Sequence, residues 1–248
     1  MARVLTVIMG PYRSRASTPQ LPLQLTFNDQ MGFDQYHPGG NREAVSLLER
    51  CARGEGEPFI YLWGEAGTGK THLLQACCRS AHRAGDTVAS LPLRELMAYP
   101  PDILQGLESV GLVCIDDIQA LCGNEPWELG VFHCYNRLRD SGTRLIVASR
   151  LPPSRLPVRL KDLRTRLAWG LTLQLHPLDD EDKLRALQMR ARHLGLELTT
   201  QVARFLLSRY PRDLPSLWRL LDRLDHATLA AKRRLTIPFL KQYLEERG

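Results

Sequence analysis

The sequence has no long hydrophobic run, since no apolar stretch approaches the roughly 18 residues that a membrane span needs. The short apolar patch at residues 4–9 lacks a following cleavage signal, which argues against a secretory peptide. None of the six cysteines forms a C-x-x-C pair, so buried free thiols are expected rather than a zinc site. Internal repeats and long low-complexity runs are also absent. These absences favour a globular protein of the reducing cytoplasm.

The composition that remains is that of a globular chain with one strongly basic segment. The 248 residues are 44% hydrophobic and 24% charged, enough to form a core in one large domain or a large domain plus a small one. Residues 137–166 contain nine basic and two acidic residues, although the whole chain carries only +6. Such a segment suits a polyphosphate, a nucleic acid or an acidic protein face, or it forms a solvated arginine-rich surface.

The first two thirds of the chain alternate between candidate strands and helices. The strands are predicted as unbroken apolar runs, and a helix over residues 70–83 has apolar residues at helical spacing. Asn41 and Asn124 are predicted to cap helices. Continuous apolar strands between helices indicate a parallel sheet covered on both faces, an α/β fold. The predicted strands are residues 59–63, 87–91, 112–115, 144–148 and 171–175.

Beyond Pro177 the pattern changes to helices without intervening strands. Gly195 and Pro211 supply two of the breaks between them. We therefore expect a flexible leader at residues 1–29, an α/β core at 30–177 and a small all-helical lid domain at 178–248. The predicted helices of the lid are residues 179–194, 199–209, 213–231 and 236–246.

A glycine-rich loop follows the first predicted strand and fits the pattern G-x-x-x-x-G-K-[ST]. Its glycines let backbone N–H groups point at phosphate oxygens, and the following helix adds a favourable dipole. Lys70 would reach the terminal phosphates and Thr71 would hold Mg²⁺. A chance glycine-rich turn is the alternative, but the flanking strand and helix favour a nucleotide site. The loop comprises Gly64, Glu65, Ala66, Gly67, Thr68, Gly69, Lys70 and Thr71.

Two carboxylates end the third predicted strand. Asp116 would support Mg²⁺ through water, and Asp117 would orient or activate the attacking water. Strands also end in aspartate for structural reasons, so the metal-binding role is predicted only because a phosphate loop lies upstream.

Together these motifs resemble the AAA+ ATPases, specifically the DnaA branch, over residues 27–248. The resemblance implies a five-stranded parallel sheet, a helical lid, and bound ADP or ATP with Mg²⁺. It places Tyr36, His37 and Pro38 beside the adenine base, whereas the residues alone indicate core packing before a helix. It also makes Ser149 the first sensor, near the γ-phosphate, although a serine can simply end a strand.

Two arginines take roles from the same resemblance. Arg166 matches the arginine finger, which in these proteins usually reaches the nucleotide of a neighbouring subunit and so implies a partner or a homo-oligomer. Arg212 matches the second sensor, which joins the lid to the nucleotide. Taken alone, either arginine is more readily a surface salt-bridge residue.

The expected layout, a short leader and no DNA-binding domain after the lid, resembles the regulators that inactivate DnaA after replication begins. Such regulators carry a peptide that binds the DNA sliding clamp, the polymerase β subunit, so any DNA contact would be indirect. Alternating leucines in an extended segment can anchor it in a groove, although a strand or disordered tail has the same pattern. The matching peptide is Gln20, Leu21, Pro22, Leu23, Gln24 and Leu25.

The leading hypothesis is therefore a cytoplasmic, nucleoid- or replisome-associated regulator that holds nucleotide and stimulates ATP hydrolysis by DnaA through Arg166. Its own turnover would be weak or absent. A stand-alone DNA-dependent ATPase or helicase loader is the main alternative, supported by the basic segment. A small-molecule kinase would leave the helical tail and Arg166 unexplained.

Overall fold

The computed structural model describes residues 31–210, 213–231 and 235–240. These residues form two compact units, the first made of residues 31–33 and 41–176 and the second of residues 34–40 and the described residues from 177 onward. The predicted clamp-binding peptide at residues 20–25, the predicted leader and Arg212 lie outside the described residues. None of the helices in the described part of the chain combines the length and the apolar character that a membrane crossing requires.

A five-stranded parallel sheet forms the centre of the first unit, in the order β2-β3-β4-β1-β5. The predicted α/β fold is confirmed, and the apolar runs of β1 to β4 became strands because both faces of the sheet are buried there, whereas the edge strand β5 exposes Thr172 and Gln174. The carboxyl ends of β1 and β4 lie side by side, with Trp63 paired to Ser149. The strands are β1 (Phe59–Gly64), β2 (Val88–Pro92), β3 (Leu112–Asp116), β4 (Arg144–Ser149) and β5 (Leu171–Leu175).

Helices cover the sheet. Among them, α2 packs against β2 and β3, while α4 packs against β4 and α5. Short helical turns fill the segment between β2 and β3, which the apolar periodicity did not predict. The helices of this unit are α1 (Arg42–Ala52), α2 (Lys70–Arg83), α3 (Leu93–Leu96), α4 (Glu125–Ser141) and α5 (Lys161–Leu167), with 3-10 turns that include Pro101–Leu104, Leu107–Ser109, Ile118–Leu121 and Pro153–Arg155.

The two predicted asparagine caps have different outcomes. Asn124 caps α4, since its side chain accepts a hydrogen bond from the Trp127 N–H. Asn41 precedes α1 but makes no side-chain cap bond, so that prediction is wrong. Its amide nitrogen donates to the His176 carbonyl (2.9 Å) and its oxygen accepts from the His176 N–H (2.8 Å). This two-bond contact with backbone just after β5 replaces the cap.

The second unit contains three helices that match the predicted pattern closely: α6 (Asp180–His193), α7 (Thr200–Arg209) and α8 (Leu214–Ala231). Asp179 and Thr199 cap the first two of these helices. Of the fourth predicted helix, residues 237–240 are helical and residues 241–246 lie outside the described part. Leucines dominate the core between the helices, among them Leu187, Leu206, Leu217, Leu221 and Leu224.

Candidate nucleotide-binding site

The loop between β1 and α2 requires glycine at several positions. Gly67 and Gly69 have φ angles of 83° and 89°, which L side chains rarely adopt. A Cβ atom on Gly64 would lie only 2.5 Å from the Leu175 carbonyl oxygen. The first turn of α2 begins directly after this loop, and its N–H groups have no intrahelical partners. The loop and the helix terminus therefore fit the phosphate groups of a nucleotide.

Lys70 is the cation of this loop and is only 8% exposed. Its Nζ donates to the carbonyl oxygens of Gly64 and Glu65, at 2.7 Å each. Burial lowers the pKa of the Lys70 ammonium, and the nearby Asp116 and Asp117 carboxylates oppose that shift. The loop's own carbonyl oxygens thus bind the Lys70 ammonium, which a terminal phosphate would bind when nucleotide is present.

Thr71 and Asp116 supply the oxygen atoms suited to a metal ion. The Thr71 hydroxyl donates to Asp116 Oδ2 at 2.6 Å, which joins the first turn of α2 to the end of β3. Burial raises the pKa of Asp116, and the hydrogen bond from Thr71 opposes this shift. A hydroxyl and a carboxylate are hard oxygen ligands of the kind that Mg²⁺ prefers, so the residues present fit this ion.

Asp117 has an unusual backbone and an occupied carboxylate. It is the one described non-glycine residue with a positive φ, 53°, a strained conformation that often marks functional sites. Its carboxylate accepts hydrogen bonds from Gln119 Nε2 at 2.5 Å and Arg94 Nε at 3.2 Å, and Arg150 Nε lies 4.0 Å away. The predicted role in orienting water stays a prediction, and these side-chain partners were not anticipated.

Ser149 is fully buried at the end of β4. Its hydroxyl donates to Gln119 Oε1 at 3.3 Å and accepts from the Leu151 N–H at 3.1 Å. Gln119 therefore links Asp117 to the predicted sensor. No sequence pattern pointed to Gln119, which lies on a short 3-10 turn after β3. Asp116 and Ser149 end β3 and β4, and the glycine-rich loop and Asp117 lie at or directly after the ends of β1 and β3, so the first unit brings them to one edge of its sheet.

Arg166 lies near the opposite edge of the same sheet, at the amino ends of the strands. It lines a shallow cavity with Phe59, the first residue of β1, and with Leu145 and Gly170. Because β1 runs from Phe59 to Gly64, about 16 Å of strand separates Phe59 from the glycine-rich loop. Among the described residues, nothing forms a hydrogen bond with the buried Nη1 atom of Arg166. The guanidinium packs on the Trp169 ring, 4.1 Å from its centroid.

The remaining predicted site residues belong to the second unit or lie outside the described residues. Tyr36, His37 and Pro38 are partly buried. His37 Nε2 lies 2.9 Å from Asp182 Oδ1 of α6. The adenine role of Tyr36, His37 and Pro38 therefore stays a prediction. The roles of Arg212 and of residues 20–25 also stay predictions, because the structure does not describe these residues.

Comparison with known families and structures identifies relatives of both units. The model of the bacterial DnaA ATPase domain matches residues 101–174, and that of the Hda lid domain matches residues 180–244. Domain III of the Thermotoga maritima replication initiation protein DnaA is 22% identical, with a TM-score of 0.76 over 86% of this chain and 95% of that chain.

Two other DnaA structures are also similar to this chain. AMPPCP-bound DnaA from Aquifex aeolicus is 26% identical (TM-score 0.64), over 77% of this chain and 63% of that chain. A replication initiator DnaA bound to AMPPCP and single-stranded DNA is 23% identical (TM-score 0.67), over 89% of this chain and 70% of that chain. The solved structures show the fold, and the two family models show that the chain is an AAA+ protein of the DnaA branch, close to Hda.

Proposed function

We propose that this chain regulates the initiation of chromosomal replication by binding adenine nucleotide, docking on the sliding clamp and stimulating ATP hydrolysis by DnaA, which prevents re-initiation. The observation that carries the proposal is the position of Arg166. It lies beside Phe59, which is about 16 Å along β1 from the chain's own glycine-rich loop, and its Nη1 has no partner among the described residues. Such an arginine suits a nucleotide held by another molecule.

The chain's own nucleotide would be held by the loop at residues 64–71, with Lys70 at the terminal phosphates and Thr71 and Asp116 supporting Mg²⁺. When bound, Mg²⁺ neutralises part of the phosphate charge. The AMPPCP in the related DnaA structures supports an adenine nucleotide here. We propose ADP as the resting form, with weak turnover, because Gln119 and Arg94 already occupy the Asp117 carboxylate.

Arg166 supplies the chemistry offered to DnaA. A guanidinium is planar, always protonated and rich in N–H donors, so it stabilises the charge that spreads over a transferring phosphoryl group. The same geometry allows a homo-oligomer, in which Arg166 of one copy would face the nucleotide of the next.

Clamp docking is proposed from the sequence of residues 20–25 alone, since these residues lie outside the described part. Their leucines at positions 21, 23 and 25 would enter a groove on the clamp. In this proposal the chain works in the cytoplasm beside the nucleoid, and the clamp provides its contact with DNA. Deleting residues 20–25 should abolish co-purification with the clamp, and a persistent complex would rule this segment out.

The main test is hydrolysis of ATP by DnaA in the presence of clamp on DNA. Arg166→Ala should reduce the stimulation by about 10³-fold or more, as expected for an arginine finger, while ADP and clamp binding remain. Arg155→Ala, at an exposed arginine of the same basic segment, is the matched control and should stimulate normally. Undiminished stimulation by Arg166→Ala would refute the role.

One observation favours the alternative, a stand-alone DNA-dependent ATPase or helicase loader. Arg155, Arg159 and Lys161 are exposed between β4 and the first turn of α5, where they could contact phosphates of a nucleic acid. This function predicts ATP turnover that rises with added single-stranded DNA, and binding that weakens steeply with salt. A flat response to DNA would discard it.

A further inference from the structure

Trp169 is a large aromatic residue that stays 59% exposed directly after α5. Its backbone N–H donates to the Arg166 carbonyl at 3.1 Å, which closes a turn between the two residues. In this turn the guanidinium carbon of Arg166 lies 4.1 Å from the centroid of the Trp169 ring, within the range of a cation–π contact. We refer to these two side chains as the Arg–Trp stack.

The backbone on both sides of Trp169 is fixed. Before it, the Ala168 N–H donates to the carbonyls of Arg164 and Thr165 at the end of α5. After it, Gly170 packs so closely on β1 that a Cβ atom would lie 2.4 Å from the Phe59 carbonyl oxygen. The ring is therefore attached to a segment that cannot easily shift, which makes it a stable support for the arginine.

The other neighbours of Arg166 in the described part of the chain do not neutralise its positive charge. Tyr135 lies beside it, and burial raises the pKa of the Tyr135 hydroxyl, against the influence of Arg139 and Arg166. That hydroxyl is neutral at physiological pH. No carboxylate forms a salt bridge with Arg166 within the described ranges of the chain. Contact with the face of an aromatic ring uses none of the guanidinium N–H donors, so the ring leaves them unpaired, and of these Nη1 is buried.

We propose that Trp169 is a positioning residue for Arg166. Its ring holds the half-buried guanidinium in one orientation in advance, so that less side-chain freedom is lost when the arginine meets a partner's nucleotide. The inference rests on the proposed function and deepens it, since it names what orients the arginine that acts on that nucleotide.

The test compares Trp169→Leu, Trp169→Phe and Tyr99→Leu in the DnaA hydrolysis assay. Trp169→Leu removes the π face and should lower the maximal stimulated rate about two- to fivefold, with little change in the concentration needed for half-maximal effect. Trp169→Phe keeps a ring and should restore most of that rate. Tyr99→Leu removes another exposed aromatic side chain, 52% exposed, and should behave as wild type. All three variants should fold normally because the altered side chains are exposed.

A second readout examines the Arg–Trp stack without any partner. The difference in fluorescence between the wild-type chain and Trp169→Phe isolates the emission of Trp169 from that of the other tryptophans. Arg166→Ala should change this emission because the nearer of two cations leaves the ring, while Arg139 stays 5.9 Å from its centroid. Arg155→Ala should not change it.

The outcomes separate the two proposals. If Arg166→Ala abolishes stimulation but Trp169→Leu stimulates fully, the positioning role is overturned and the proposed function stands. If Trp169→Leu raises only the half-maximal concentration, the ring is a contact for the partner and the positioning role is again overturned. If Arg166→Ala stimulates normally, the proposed function fails, and the role of Trp169 fails with it.

Discussion

In the first unit, the carboxyl and amino edges of the sheet, where the strands end and begin, differ in whether their charged groups already have partners within the chain. At the carboxyl ends of the strands, the charged groups already bind the chain's own atoms: Lys70 donates to loop carbonyls, and Asp116 accepts from Thr71. At the amino ends, Arg166 has a buried Nη1 atom without a partner among the described residues and lies against the exposed Trp169. The first edge is assembled within one chain, and the second is suited to a group from another molecule.

A buried carboxylate connects segments that lead to the two edges. Glu128 of α4 is 1% exposed and accepts three backbone N–H bonds of 2.8 Å, from Gly123, Arg159 and Leu160. Gly123 follows the 3-10 turn that carries Gln119, and Leu160 immediately precedes α5. Glu128 thus fixes the start of the helix that carries Arg166 relative to the segment that contacts Asp117.

The largest expected effect comes from removing this connection. Glu128→Ala would leave three buried N–H groups without a charged acceptor, and should lower the free energy of unfolding by about 3–5 kcal/mol. Urea denaturation monitored by circular dichroism would measure the loss. Glu125→Ala, at an exposed acid in the first turn of the same helix, is the control and should cost less than about 1 kcal/mol.

The same connection has a defined pH dependence. Burial tends to raise the pKa of Glu128, but the hydrogen bonds from Leu160, Gly123 and Arg159 outweigh it and hold the pKa below its ordinary value. A carboxylate with a depressed pKa stabilises the fold fully above its unfolded pKa, about 4.3, and loses that contribution as pH falls through the folded pKa. The stability gap between wild type and Glu128→Ala should shrink below about pH 4, and a constant gap would contradict this account.

Asp116 should behave in the opposite way. Burial raises its pKa, so its ionised form disfavours folding at neutral pH, and this penalty is relieved as pH falls through the folded pKa. Asp116→Asn should therefore leave the nucleotide-free protein as stable as wild type or more stable by up to about 1 kcal/mol. It should also weaken Mg²⁺-dependent nucleotide binding by about tenfold or more.

Thermal denaturation without Mg²⁺ and nucleotide, followed by titrations with both, would measure the two effects of Asp116→Asn. A loss of more than about 1 kcal/mol in the nucleotide-free protein would mean that Asp116 stabilises the fold, and that the carboxyl edge is not held ready for a metal ion.

Local signals in the sequence predicted much of the carboxyl edge. Apolar runs marked the strands, with ends within one residue, because β1 to β4 are buried on both faces, while the edge strand β5 alternates between buried or partly buried leucines and the exposed Thr172 and Gln174. The glycines of the phosphate loop were also predictable, because glycine is the residue that readily adopts the positive φ angles found at Gly67 and Gly69. The order of the strands was not predictable from these signals, since it depends on which distant segments pair.

The contacts around the predicted residues were harder to foresee. Asn41 had the pattern of a helix cap but binds backbone 135 residues away, at His176. No sequence pattern pointed to Glu128, which accepts bonds from segments that precede and follow α4 in the chain. Local pattern could not identify these partners because each contact forms only after the sheet and helices have packed.

The central claim is that the loop at residues 64–71 holds an adenine nucleotide, and titration of the purified chain with ADP and Mg²⁺ tests it most directly. The account predicts saturable binding of one nucleotide per chain, weakened about 10- to 100-fold by Lys70→Ala and unchanged by Lys161→Ala, at an exposed lysine. A well-folded chain that binds no nucleotide, or a Lys70→Ala variant that binds as tightly as wild type, would contradict it.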